Sequence, residues 1–153
     1  MSRQEGDRMA KLKTIPLEAF TTQLVLLGDM IMSAGPEMID AGLVPLEKEI
    51  RKNAERHKIS GDLAKSVRKG KPKMIRKRGI WSGRVSFIGY EKDSKKTPMY
   101  PKGKPNAVKA MALEYGRSGQ SATPIIRPAI ESAQIEVIDV MQGIFNDKIN
   151  EVM

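Results

Sequence analysis

Glu114 and Tyr115, adjacent in "LEYGRSGQSATPIIRPAI", are the side chains whose types best suit proton chemistry. A carboxylate works as a general acid or base when a second titratable group nearby divides the roles with it, and no second carboxylate lies close to Glu114 in the sequence. His57 is the only histidine and there is no cysteine. One chain therefore cannot assemble a two-histidine or thiolate metal site, a thiol nucleophile, a disulfide or most histidine-assisted acyl transfers. The glycines of "GIWSGRVSFIG" do not form a phosphate-cradling loop ahead of a helix, and no GxxxxGK element is present. The sequence yields no catalytic set, no cofactor site and no metal site. The expectation is a protein that is not an enzyme.

Charge offers a second kind of chemistry. Between Arg51 and Lys104, 18 Lys and Arg stand against 4 Asp and Glu, a local excess of +14 in a chain of net charge +9, which leaves −5 for the rest. Such a concentration attracts polyanions or an acidic protein face. "RKGKPKMIRKR" places Lys69, Lys71, Lys73, Arg76, Lys77 and Arg78 on a predicted hairpin, where they suit phosphate contact, with Trp81 and Tyr90 near enough in sequence to stack on bases. Helix-turn-helix spacing, RNP-type aromatics and zinc ligands are all missing. Direct nucleic-acid binding is thus the alternative function, weighed against a solvated strand edge on which lysine discourages unwanted pairing.

These residues must be positioned by a single domain, since 153 residues leave little room for two. Residues 1–15 are polar and weakly periodic, and read as a flexible N-terminal segment ahead of a 16–153 domain. "MSRQEGDRMAKLK" lacks an apolar signal core, and no window reaches the roughly 20 apolar residues that span a bilayer, so a soluble protein with no membrane partner is expected. Leu17, Phe20, Leu24, Leu27 and Ile31 form one helical stripe after Pro16, with "SAGP" as its expected end. A second helix is predicted from Pro36 to about His57, with Met38, Ile39, Leu43, Leu46, Ile50 and Ala54 inward and a kink or break near residues 41–44 caused by Pro45. Ser60 is a candidate cap for a short turn. Two or three antiparallel strands follow, with "RVSFIGY" covered on both faces, and then a Pro- and Gly-bearing loop, "KKTPMYPKGKPN". A helix from about Asn106 stops at Gly116. Pro128 is the expected opening of a last helix whose stripe runs from Ile130 and Ala133 to Val152. Two long helical stripes and few short strands to cover them leave a remainder that favours self-association.

The order of a helical first third, "SGDLAKSV", strands, "ALEYGRSGQSATPIIRPAI" and a terminal amphipathic helix resembles the tail-completion, or head-to-tail joining, proteins of long-tailed bacteriophages and prophages. Ser60, Gly61, Leu63, Ser66 and Val67 match that family's middle motif with conservative changes. Glu114, Tyr115, Gly116, Pro124, Arg127, Pro128 and Ala129 match its later motif, and the likeness covers roughly residues 17–153. Arg117, where the family often has Thr or Ser, and Pro45 depart from the pattern. The resemblance implies an α+β fold, with long N-terminal and C-terminal helices packed on a small antiparallel sheet. It also implies a structural virion protein, assembled in the host cytoplasm, that forms a homo-oligomeric ring in the neck at the head-tail junction. Its partners would be other copies of itself, connector proteins, and tail tube or tail terminator proteins. Lumen-facing cations, Lys69 to Arg78 above, would meet genome phosphates without reading bases. Within that frame Gly116, "RSGQSAT" and Pro128 make a bent connector, and Glu114, Tyr115, Arg117 and Arg127 are the candidate subunit or partner contacts. Glu114 either anchors the bend, by accepting backbone N–H bonds or pairing with Arg117 or Arg127, or faces solvent.

Overall fold

A computed structural model describes residues 17–57 and 61–152. The expected flexible segment at 1–15, the opening proline Pro16 and the cap Ser60 lie outside the described residues. The fold is α+β, with two long helices flanking a small antiparallel β region.

The first two predicted helices are one. α1 runs Leu17–Arg56, 40 residues, straight through Pro36 and Pro45. Each proline removes an N–H, so the carbonyls of Met32 and Ala41 lose their helical donors, a local cost of about 3 kcal/mol apiece. What holds the helix together is tertiary. α4, Ile126–Val152, lies antiparallel along α1 in the most extensive contact between elements, bringing Asn53 beside Ile125, Gly42 beside Met141, and Leu26 beside Ile149. Burial along that contact overrides the propensity of the prolines, and so neither "SAGP" nor Pro45 ends the helix.

The core sits where the C-terminal half of α1 meets α2 (Asp62–Ser66), α3 (Asn106–Tyr115) and the start of α4. Ala54, Ala64, Ala110, Ala129 and Ala133 are nearly inaccessible, and these small side chains let the backbones approach closely around Leu63, Val67 and Ile125. Among the described residues, nothing covers the other end. Of the first predicted stripe, Leu17, Leu24, Leu27 and Ile31 are exposed, with Leu17 at 79%, while Met30 and Ala34 are the buried positions. In α4 Ala133 is buried but Ile130 is exposed.

The strands are four short ones: β1 (Val67–Lys69), β2 (Lys73–Ile75), β3 (Ile80–Ser82) and β4 (Val85–Phe87). β1 pairs with β4 and β2 with β3, both antiparallel. They form one bent hairpin. Val67 faces Phe87 and Lys69 faces Val85, whereas beyond Gly70, which donates to the Arg84 carbonyl at 2.8 Å, Lys73 faces Ser82 and Met74 faces Trp81. Lys71 and Pro72 therefore oppose Gly83 alone, a bulge of one residue at the proline that could not have supplied a ladder N–H. The bulge turns Met74 toward the Trp81 side and leaves Lys73 and Ile75 outside. All three residues of β4 are half-buried, while Ile88 and Tyr90, just beyond the strand, are exposed.

The hairpin lies on α1. Glu47 accepts the Lys69 N–H at 3.0 Å, and Arg51, paired with Glu47, donates to the Val67 carbonyl at 3.0 Å, so α1 side chains satisfy the free edge of β1. Further out, Trp81 rests directly on Gly35, where any side chain would overlap the indole, and Gly83 fits against Ile39 and Leu43. Gly35 of "SAGP" is thus a seat for the hairpin, not a helix stop.

Candidate functional site

The bend between α3 and α4 is built around Glu114. It lies in the last turn of α3, is 8% exposed, and points at the start of α4. Its Oε2 accepts the N–H groups of Ile125 (2.9 Å) and Ile126 (2.8 Å), and its Oε1 accepts that of Arg127 (3.1 Å). A helix start presents four N–H groups without helical partners. Here Glu114 takes three and the fourth residue, Pro128, has none to offer. α4 consequently opens at Ile126, two residues before the predicted proline, with every donor of its first turn accounted for. The negative charge also faces the positive end of the helix dipole.

Burial alone would raise the Glu114 carboxyl. The three N–H bonds, from Ile126, Ile125 and Arg127, and the Arg127 charge outweigh it, so the group is held below its ordinary value of 4.5. This is a carboxylate fixed in its ionised, fully bonded state, which suits a structural anchor and not a proton donor.

Ile125, wholly buried, is clamped from the other side. Asn53 of α1 donates to its carbonyl at 3.0 Å across 72 residues of sequence. The sequence reading passed over Asn53, although a polar residue between Ile50 and Ala54 on an apolar face was a signal that something buried needed a donor. Gly116, at φ 76° and ψ 174°, takes a conformation almost confined to glycine, and its Cα hydrogens face Ala122 and the Gln120 carbonyl. "RSGQ" is a tight turn: the backbones of Arg117 and Gln120 exchange N–H to carbonyl bonds of 3.0 and 2.9 Å, and the Arg117 Nε donates to the Gln120 Oε1 at 2.8 Å. Arg117 is thereby occupied with Gln120 and makes no ion pair with Glu114. Of the four candidate contacts, Glu114 faces inward, while Tyr115 (69% exposed), Arg117 and Arg127 lie on the surface beside the bend.

The six hairpin cations separate into two groups. Lys69 turns toward α1 and bonds Asp40 Oδ1 at 2.7 Å. Lys71, Lys73, Arg76, Lys77 and Arg78 are exposed and make no ion pair among the described residues, and the last three form the tip between β2 and β3. His57, just past α1, borders a cleft with Glu91, Lys104, Lys109 and Arg117, in which Lys109 and Glu91 pair at 2.9 Å. Among the described residues, no three His, Asp or Glu side chains converge in a metal-holding group, and no helix is long and apolar enough to cross a membrane. Comparison with protein-family models, with curated proteins and with solved structures found no match.

Proposed function

We propose that this chain is a structural subunit of the neck of a long-tailed phage or prophage, which assembles into a ring at the head-tail junction and docks to connector and tail proteins. The observation that carries the reading is the apolar surface left uncovered, among the described residues, at the start of α1: Leu17, Leu24 and Ile31 at seven-residue spacing, with Val152 at the neighbouring end of α4. Surface apolar side chains scattered singly mean little, but an aligned row along an unpartnered helix face marks a place where another protein sits. The order of motifs that resembles the tail-completion proteins supports the same reading, and so does a bend stiff enough to hold Tyr115, Arg117 and Arg127 in fixed positions on the surface.

The test is association. Light scattering across a concentration series should show growth from monomer to a closed species visible as rings by electron microscopy. A monomer at every concentration, with no density for the chain at the portal-tail junction of a virion encoding it, would remove the proposal. The exposed tip Arg76–Arg78 favours a second reading, nucleic-acid binding as the main role. That reading requires tight, steeply salt-dependent binding to duplex by the isolated subunit, whereas a ring lining requires only weak binding without sequence preference.

A further inference from the structure

From Leu17 to Glu47 the chain contains five acids and no lysine or arginine. Glu37, Asp40 and Glu47 are paired with Lys148, Lys69 and Arg51, while Glu18 and Asp29 make no ion pair among the described residues. The start of α1, uncovered among the described residues, is therefore apolar with an acidic rim. Beside it, where α1 and α4 run out together, Gln23, Leu26, Leu27, Met30, Ile149 and Val152 line a cleft of about 270 Å³. Two such ends cannot pair with each other comfortably, because acids would meet acids. The complementary surface has to combine an apolar projection with positive charge.

The same chain carries one at its opposite end. Glu91 and Lys104, the feet of the loop that follows β4, lie with His57 at the far terminus of α1, which at 40 residues is about 60 Å long. The loop tip is a braced turn. Thr97 and Tyr100 exchange backbone bonds of 3.2 and 3.0 Å, the Thr97 hydroxyl accepts the Tyr100 N–H at 3.1 Å, and Ser94 Oγ accepts the Lys104 N–H at 2.8 Å. Pro98 and Met99 form its corner, and the Met99 side chain is 78% exposed. Lys95, Lys96 and Lys102 surround it, with no ion pair among the described residues. An unbranched thioether on a pre-set turn is an adaptable anchor that forfeits little loop entropy on docking.

We infer that the occupant of the Leu26–Leu27–Val152 cleft is Met99 of a second copy of this chain, with Lys95, Lys96 and Lys102 of that copy against Glu18 and Asp29. The inference rests on the ring reading and specifies its contact. Joining unlike ends is the heterologous association that closes rings, whereas pairing like ends stops at a dimer. The distance between the two sites prevents one copy from satisfying itself.

The absence of native cysteine makes the test clean. Met99→Cys protein mixed with Leu27→Cys protein should form disulfide-linked dimers that contain one of each variant, in at least about tenfold excess over like-with-like dimers. Both positions are exposed, so circular dichroism of each variant should match the parent. Replacing Lys95 and Lys96 by Glu, or Glu18 and Asp29 by Lys, should weaken association about tenfold, and combining the two sets should restore it, because screened surface pairs of this kind are modest singly and act together. Rings that form without the mixed disulfide, or that ignore the charge exchange, overturn this contact and leave the ring standing. A full chain that associates only after residues 1–16 are deleted assigns the cleft to its own N-terminal segment and overturns the contact as well. Monomer under all conditions overturns both.

Discussion

Replacing Glu114 by Gln is nearly isosteric and isolates the anchor at the bend. Glutamine keeps one acceptor oxygen, which can serve the Ile125 and Ile126 N–H groups now bound to Oε2, but its amide nitrogen must then face the Arg127 N–H now bound to Oε1. One buried donor loses its acceptor, at about 1–3 kcal/mol, and the charge opposite the helix dipole is lost, at about 0.3–1 kcal/mol. The sum is about 1.3–4 kcal/mol, which in a chain of this length lowers Tm by about 3–16 °C. The deficit should depend on pH with a definite sign. Because the folded carboxyl is held below its ordinary value of 4.5, its stabilisation is fully present above that value and is lost as the pH falls through the folded value. The Tm gap between parent and variant should hold steady from neutral pH down to about 5 and narrow below about 4. Thermal unfolding followed at 222 nm measures the gap, and hydrogen exchange at the Ile126 and Arg127 amides locates it. A variant within about 1 °C of the parent at pH 7, or with unchanged protection at those two amides, would refute the anchoring role.

Asn53→Ala strips the buried Ile125 carbonyl of its donor and should cost about 1–2 kcal/mol, measured by urea unfolding. Gly35→Ala should gain about 1 kcal/mol of helix propensity yet destabilise overall, because the added methyl collides with Trp81. As Trp81 is the only tryptophan, a red shift of its emission reports the displaced hairpin. Changing Arg76, Lys77 and Arg78 together to Gln should flatten the salt dependence of duplex DNA binding by a slope of up to about 3, without changing thermal stability. An unchanged slope would remove those cations from any phosphate contact.

How far the fold could be read from sequence depended on whether the deciding interaction was local. Gly116 and the Ala-rich run before it predicted α3 almost to the residue, since a left-handed stop and high propensity act within one turn. Pro36 was expected to open a new helix and Pro45 to kink or break it, yet α1 is continuous through both, because a helix packed lengthwise on another answers to a surface about 100 residues away, such as Met141 against Gly42. Glu114 was identified, and backbone capping was among its readings, but the choice between capping, ion pairing and solvent required knowing where Ile125 to Arg127 lie. Leu17, Leu24 and Ile31 have a core-like period and stand exposed: periodicity shows that a face is apolar, not what covers it. Asn53 was overlooked because its partner is a carbonyl, which no residue type advertises.

The doubled position at Lys71 and Pro72 makes spacing, more than residue choice, the constrained variable of the hairpin. Delete either residue and the two ladders merge into one register: Lys73 still faces Ser82 and Met74 still faces Trp81, but the bend that the extra residue puts into the arm is lost. Point changes along this arm should therefore be borne freely among related chains, while loss of the extra residue should straighten the arm and shift Trp81 from its place on Gly35.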